Sequence, residues 1–386
     1  MASESAAVEL RQISRHIRTL ASLASTRAPV VSCYVDLEHK GWRGEFDERA
    51  AALGAAFPHG EGRRWFEHAL GRIRMHLRRP KSLGARGLAL FARAGEDPFF
   101  LPLEFRLPVP SRLEVGRFPH IYRLVAMRDN FNRFAVLVCT GDAVRVLGVS
   151  MGEVVGQICD RRPENARRAA RSPGEGNPPS PMKRILAEGI SVLESFLRHG
   201  GYRRLILAGD PRWLALARQM MPRHLTARIW DVVPAGEGDA LMDVVHAAAI
   251  SFADREEEES AATVEWLCEG LKGEGWAVAG LRDSREALRT GAAGCLILDE
   301  HFSPEPVRVC ADCGRRSGAE EPQFLCPFCG KGLCLPRDER EALVRAAVFS
   351  GAHIEIVNHS DTLMRLGGVG CLLRTAPDRL LRRAAA

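Results

Sequence analysis

The sequence predicts a multidomain α/β (α+β) protein, and three observations carry that expectation. The chain has 386 residues, more than one domain usually holds, so two or three cores are expected. Short apolar runs such as Pro29 to Leu37, Leu205 to Ala208 and Cys295 to Leu298 have the length of strands, and they alternate with longer segments of helical period. Hydrophobic residues make up 46% of the chain and charged residues 26%, the balance of an ordinary globular protein with enough apolar surface for several cores.

Composition also narrows the function classes. No run of eighteen apolar residues occurs, and Met1 to Arg18 is acidic and then basic with no hydrophobic signal region, so a cytoplasmic protein with no membrane partner is expected. In that compartment thiols stay reduced, and paired cysteines bind metal more often than each other. The formal net charge of +6 permits a polyanionic partner without requiring one. No phosphate-cradling Gly-x-x-x-x-Gly-Lys-Ser/Thr, Gly-x-Ser-x-Gly or His-Glu-x-x-His motif is present. The twelve histidines are scattered; His353, His359 and Asp361 cluster near a strand end, where a capped loop explains them as well as chemistry does.

Residues 1–118 form the first expected domain. Val8 to Ser25 reads as an amphipathic helix and Pro29 to Leu37 as a β-branched strand. Glu45 to Phe57 and Arg63 to Arg79 read as a helical hairpin, and Leu88 to Ala92 and Phe99 to Phe105 as strands around the turn Gly95-Glu96-Asp97-Pro98. The second hairpin helix and its exit carry Arg63, Arg64, Arg72, Arg74, Arg78, Arg79, Lys81 and Arg86, which fit phosphate contacts and a solvated helix face equally. Trp65 and Phe66 are expected in the core.

Residues 119–246 form the second. Tyr122 to Ala126, Phe134 to Thr140 and Ala143 to Val149 read as strands, and Gly152 to Cys159 continues them. Met182 to His199 follows as a helix with Ile185, Leu186, Ile190, Leu193, Phe196 and Leu197 on one face. After the strand Arg204 to Ala208, Asp210 is placed as an N-cap with Pro211 at the first helical position. Between Asp160 and Arg184 seven basic residues (Arg161, Arg162, Arg167, Arg168, Arg171, Lys183, Arg184) stand against three acids (Asp160, Glu164, Glu175), a net +4. Five prolines, with Gly174 and Gly176, keep the stretch from forming a regular helix, so it reads as an extended cationic loop. Composition alone also fits a solvated surface loop.

Residues 247–386 form the third. Asp254 to Glu259 is expected to open a helix running to about Leu271, with acids complementing the dipole of its first turn. Asp283 with Glu286 has capping-box spacing, Gly291 can close that helix in the left-handed conformation, and Cys295 to Leu298 is a buried strand. Asp338 to Ser350, stopped by Gly351, and the strand His353 to Val357 repeat the unit, giving an α/β sandwich. Inserted at 305–337 are Cys310 and Cys313, then Cys326 and Cys329, each pair two residues apart and the pairs separated by twelve. Two such turns complete a four-sulfur tetrahedron with no open position, which is the pattern of one structural zinc per chain. Cys334 is a nearby spare thiol, and the other cysteines read as small core residues.

The helix Ser284 to Ala292, the cysteine insert and the close Gly367-Gly368-Val369-Gly370-Cys371-Leu372-Leu373-Arg374 together resemble the third domain of archaeal and eukaryotic class I peptide-chain release factors. The run Leu205-Ile206-Leu207-Ala208-Gly209 is similar to a strand of that family's middle domain, and the helical hairpin falls where its first domain has one. The resemblance implies a three-domain release-factor architecture whose third domain is of the ribosomal L7Ae/L30 type with an inserted zinc ribbon. Two family motifs are missing. The hairpin tip Pro58-His59-Gly60-Glu61-Gly62-Arg63-Arg64 has no Asn-Ile-Lys-Ser, and the 160–184 loop has no Gly-Gly-Gln; Gly200-Gly201 precedes Tyr202, and Gly367-Gly368 precedes Val369.

Resemblance and departures together point to the bacterial branch of release-factor-like proteins, which includes the Balon-type hibernation factors that lack Gly-Gly-Gln. What this implies is a monomeric, non-enzymatic occupant of the A site of the 70S ribosome during stress. Its first domain would face the decoding centre, and its loop residues Arg161, Arg162, Arg167, Arg168, Arg171, Gly174, Gly176, Asn177, Lys183 and Arg184 would meet rRNA towards the peptidyl-transferase centre. Its third domain would lie where EF-Tu or another translational GTPase joins. The alternatives are a rescue enzyme, with Asn177 beside Gly176 as substitute, and a Pelota-like adaptor for a GTPase.

Overall fold

The computed structural model describes residues 10–105, 108–130, 133–141, 143–150, 153–161, 180–200, 202, 204–273, 275–305, 307–310, 312–318, 324–330 and 332–376. Its architecture is mixed α/β and multidomain, built on four sheets.

The first sheet is antiparallel in the order β3-β2-β1-β4, from β1 (Val30–Asp36), β2 (Gly87–Arg93), β3 (Phe99–Phe105) and β4 (Arg112–Gly116). Strand alternation sends Val31, Cys33 and Val35 to one face and Tyr34, Ala89 and Phe91 to the other. The first face packs on α2 (Trp42–Ala56) and α3 (Glu61–Leu77). The second packs on α1 (Leu10–Ala21) and α4 (Tyr122–Asn130). Strand β4 is not predicted from the sequence, because only Leu113 and Val115 alternate within its five residues.

Tyr122 to Ala126, expected as a strand, is the start of α4. Ile121, Leu124 and Val125 stand at helical spacing and are all buried. The carboxylate of Glu341, far along the chain, accepts from the amides of Ile121 (2.7 Å) and Tyr122 (3.0 Å), satisfying donors that a helix start leaves open. A tertiary partner thus decides a segment whose local composition favours extension.

The second sheet has the order β7-β6-β5-β8-β9, from β5 (Arg133–Cys139), β6 (Val144–Ser150), β7 (Glu153–Arg161), β8 (Arg204–Gly209) and β9 (Ile229–Pro234). Strands β5 to β7 are an antiparallel meander, whereas β8 and β9 are parallel to β5. One face carries α5 (Ser180–Gly200), α6 (Pro211–Met220) and α7 (Arg223–Thr226). Asp210 caps α6 as expected, accepting from the amide of Arg212 at 2.9 Å, with Pro211 at the first position. The other face packs on α8 (Leu241–Lys272).

Helix α8 corrects a second expectation. Asp254 to Glu259 does not open a helix but lies in the middle of one of 32 residues, about 48 Å long. Val244, Val245, Ala248 and Phe252 bury its first half on the middle sheet, and Val264 and Leu267 bury its second half on the next. Two of the acids between are paired with cations rather than placed at a helix end: Glu259 with Arg204 (3.1 Å) and Glu258 with Arg255 (3.6 Å). The expected boundary at 246/247 falls inside this helix.

The third sheet has the order β10-β16-β11-β15, from β10 (Ala277–Ala279), β11 (Ala293–Asp299), β15 (His353–Val357) and β16 (Val369–Leu373). One side is covered by α9 (Leu281–Arg289) and α10 (Glu339–Ser350), the other by α8 and α11 (Asp361–Arg365). Asp338 caps α10 through the amides of Arg340 and Glu341, and Gly351 closes it at φ 69°. Helix α9 starts earlier than expected: Gly280 is its cap residue, and Asp283 sits in its first turn. Between β11 and α10 the cysteine segment forms the small fourth sheet β13-β12-β14, from β12 (Val307–Cys310), β13 (Arg316–Ser317) and β14 (Cys334–Arg337).

The terminal parts of the chain share one core. Ile13, Ile17, Phe91, Leu124 and Val125 pack in a single cluster with Leu288, Leu343, Val344 and Ile354. Helix α10 reinforces the junction at both ends of its neighbours. Glu341 caps the N-terminus of α4, while the Arg345 guanidinium donates to the carbonyls of Ala21 (2.7 Å) and Leu23 (2.8 Å) where α1 ends. The acceptor oxygens of Glu341 at a helix start and the Arg345 guanidinium at a helix end both satisfy backbone groups that helix ends leave open.

Candidate metal centre and nucleic-acid interface

The turns Cys310 to Cys313 and Cys326 to Cys329 fold towards each other. Cys310 Sγ lies 3.7 Å from Cys329 Sγ, and Cys313 Sγ lies 3.6 Å from Cys326 Sγ. All four sulfurs lie within 4.8 Å of one another. Thiolates held about 2.3 Å from one tetrahedral ion stand about 3.8 Å apart, so these separations fit a four-sulfur metal centre.

The backbone supports the same reading. The amides of Asp312 and Cys313 donate to Cys310 Sγ at 3.4 Å each, and that of Gly332 donates to Cys329 Sγ at 3.3 Å. Such bonds stabilise sulfur that carries negative charge. Gly332 is required here, since a Cβ would stand 2.2 Å from Cys310 Sγ. Burial pushes the Cys326 thiol up, but the amides of Cys329 and Phe328 and the neighbouring sulfurs more than offset this and hold it near 6. Cys334, opposite Cys310 in the β12–β14 ladder, is pushed up to about 12, first by burial, and stays a neutral thiol.

The insert is docked on the first sheet's helical hairpin. Phe324 donates its amide to the Ala56 carbonyl at 2.9 Å and meets the Phe57 ring edge-on at 4.9 Å, and Leu335 lies in the same core as Phe57 and Phe66. The four-cysteine cluster therefore sits beside a contact between parts of the chain some 270 residues apart, roughly the Phe57 to Phe324 separation.

The basic segment is only partly within the described residues. Arg162, Arg167, Arg168, Arg171, Gly174, Gly176 and Asn177 lie outside them. Arg161 ends β7, the edge strand of the middle sheet, while Lys183 and Arg184 are in the first turns of α5, half-buried and exposed respectively. Gln157, the glutamine nearest the loop, is inside β7 opposite Leu147.

The hairpin arginines are largely engaged locally. Arg63 pairs with Glu67 (2.9 Å) and Arg74 with Asp47 (3.3 Å), Arg72 lies over the Phe100 ring, and Arg86 pairs with Glu38 (2.8 Å). Lys81 Nζ donates to the carbonyls of His76, Leu77 and Arg79 at the end of α3. Phe66 is buried, and Trp65 is half-buried against Gly95.

A second group of side chains of metal-ligating type comes together away from the cysteines. His359 and Asp361 do meet, at 3.2 Å, but His353 pairs with Glu355 instead. Asp299 and His301 join His359 in its place. The signal available was only Asp-x-His at the end of a strand, which is common.

Residues 119–254 match the model of bacterial archaeo-eukaryotic release factor family 10. Among solved structures, the chain is similar to the archaeal translation termination factor aRF1, at 16% identity over 96% of this chain and 100% of that one, with a TM-score of 0.28. It is also similar to Dom34 of S. cerevisiae, a translation termination-like factor that interacts with Hbs1, at 11% identity over 76% of this chain and 81% of that one, with a TM-score of 0.46. Ribosome-bound archaeal Pelota is similar at 12% identity over 95% and 94% of the two chains, with a TM-score of 0.43. No curated protein matches by sequence. No described helix is long and apolar enough to cross a membrane.

Proposed function

We propose that this protein binds the 70S ribosome as a release-factor-like A-site occupant that does not hydrolyse peptidyl-tRNA, and that it holds idle ribosomes during stress. The observation that carries the reading is the pairing of the family match over 119–254 with the lack of Gly-Gly-Gln anywhere in the chain. The segment that would approach the peptidyl-transferase centre keeps the charge for RNA, net +4 over 160–184, without the glutamine that positions water. Blocking needs affinity and shape, not a catalytic group.

In this reading Arg161, Arg162, Arg167, Arg168, Arg171, Gly174, Gly176, Asn177, Lys183 and Arg184 contact rRNA. Residues 1–118 face the decoding centre, 119–246 carry the loop, and 247–386 form an L7Ae/L30-like domain. The four cysteines hold one structural zinc in a ribbon, a role supported by an all-thiolate donor set with no position left open. Bound there, zinc supplies no reaction; it replaces a hydrophobic core too small to hold the insert folded.

Co-sedimentation with purified 70S ribosomes, vacant or carrying peptidyl-tRNA in the P site, tests the proposal when peptide release is followed in the same tubes at graded salt. Salt-sensitive binding without release is expected. Release of peptide would make it a rescue enzyme, and subunit splitting with a GTPase would make it an adaptor. No binding to either ribosome would overturn the reading altogether.

A further inference from the structure

Strands β11 and β15 are parallel neighbours, with Asp299 opposite Val357, so their carboxyl ends open on the same edge of the third sheet. This edge is where open α/β sheets commonly place ligands, because the loops that follow adjacent strands converge there. Asp299 ends β11, His301 follows two residues on, and His359 lies in the loop between β15 and α11. One donor atom from each lies within 4.8 Å of the others. His301 Nδ1 is 3.6 Å from Asp299 Oδ1, and the two imidazole rings meet edge to face with centroids 5.5 Å apart.

The Asp299 carboxylate is fully buried, yet its oxygens are only half used. Oδ1 accepts from the amide of His301 at 2.9 Å and Oδ2 from that of Ser360 at 2.8 Å. Each carboxylate oxygen has two lone-pair directions, so one on each remains for another partner. Turn capping explains the aspartate but not the convergence of two imidazoles on it. Asp361 completes the pattern: its Oδ1 is 3.2 Å from His359 Nε2. A carboxylate on one ring nitrogen fixes the tautomer that leaves the other nitrogen as a metal ligand.

We propose that Asp299, His301 and His359 form a second metal site, which takes a divalent first-row transition ion such as zinc, with Asp361 orienting His359. Two imidazoles and a carboxylate suit such an ion. Both histidine side chains are well exposed, 66% and 60%, so the remaining coordination positions face solvent and accept oxygen donors. The site is thus open where the four-cysteine centre is closed, and it is independent of it.

The test is metal uptake by the full chain. After equilibration with buffered free zinc, metal per chain is measured by elemental analysis in the wild type and in the His301→Ala/His359→Ala double variant, with thermal unfolding as the check on folding. The double variant is expected to hold one ion fewer than the wild type while keeping a cooperative melting transition, lowered only by the lost ion's binding. Because the result is the difference between two proteins with intact cysteines, it does not depend on how fully the thiolate centre is loaded. Asp361→Asn is expected to keep the stoichiometry but weaken the second ion about 10-fold or more by calorimetric titration. Equal metal content in wild type and double variant, at whatever value, would overturn the site.

Discussion

The middle sheet and the two terminal sheets solve the same packing problem differently. The cores on either face of the middle sheet draw only on residues from 134 to 252. The largest core of the terminal parts instead mixes residues from Ile13 to Cys371, and a second one takes Phe324 and Leu335 from the cysteine insert into the first sheet's hairpin. The middle region is therefore a self-contained layer, attached through α4 and α8, whereas the first and third regions form one body.

Metal removal should break the comparison most strongly. Structural zinc in small sites contributes about 10–16 kcal/mol to folding. With the proposed zinc in the four-cysteine site, changing Cys310 and Cys326 to Ser, or stripping the ion with a chelator, should therefore unfold the insert and expose Phe57, Phe324 and Leu335. The expected result is loss of one zinc per chain by elemental analysis and a large downward shift of the terminal body's melting transition, with the middle region's transition unmoved.

Truncating single core residues sharpens the contrast. Phe324→Ala should cost the terminal body about 3–5 kcal/mol, and Leu207→Ala should cost the middle region about 2–5 kcal/mol. Denaturant unfolding followed by hydrogen exchange should show each loss confined to its own region. A shared loss would mean that the chain unfolds as one cooperative unit.

The α10 junction is pH-sensitive with a definite sign. Burial raises the Glu341 carboxyl from 4.5 to about 7, against the opposing pull of His120. An acid with a raised folded-state value binds its proton more readily when folded, so its stabilising contribution is fully present below about pH 4.5 and is lost as pH rises to about 7. The shift bounds this at about 3 kcal/mol. Glu341→Gln should flatten that slope in the terminal body alone, as measured by urea unfolding across the pH range.

The smallest effects are caps. Arg345→Ala removes charge-assisted bonds to the end of α1 and should cost the terminal body about 1.5–3 kcal/mol. Asp210→Ala removes the cap of α6 and should cost the middle region about 1 kcal/mol.

Where local chemistry was sufficient, the sequence was readable. Asp210-Pro211, Asp338 and Gly351 mark helix ends by their own side chains and dihedrals, and the structure places them as expected. The cysteine pairs were legible because a tetrahedral thiolate site needs two tight turns and little else. Asp283 misled because capping-box spacing is only permissive: the chain enters α9 three residues earlier, at Gly280. Tyr122 to Ala126 looked like a strand because the helix it forms is capped from Glu341, more than two hundred residues away.

By itself, then, the sequence determined the alternation of helix and strand, the four-sulfur centre, the absence of Gly-Gly-Gln and the charge of the segment before α5, all of which depend on residue type and short spacing. Tertiary structure alone decided that α8 runs unbroken past Asp254 to Glu259, that α10 clamps α1 and α4, and that Asp299, His301 and His359 meet. Those features depend on which faces become buried together and which strand ends become neighbours, and such relations arise only when distant segments pack.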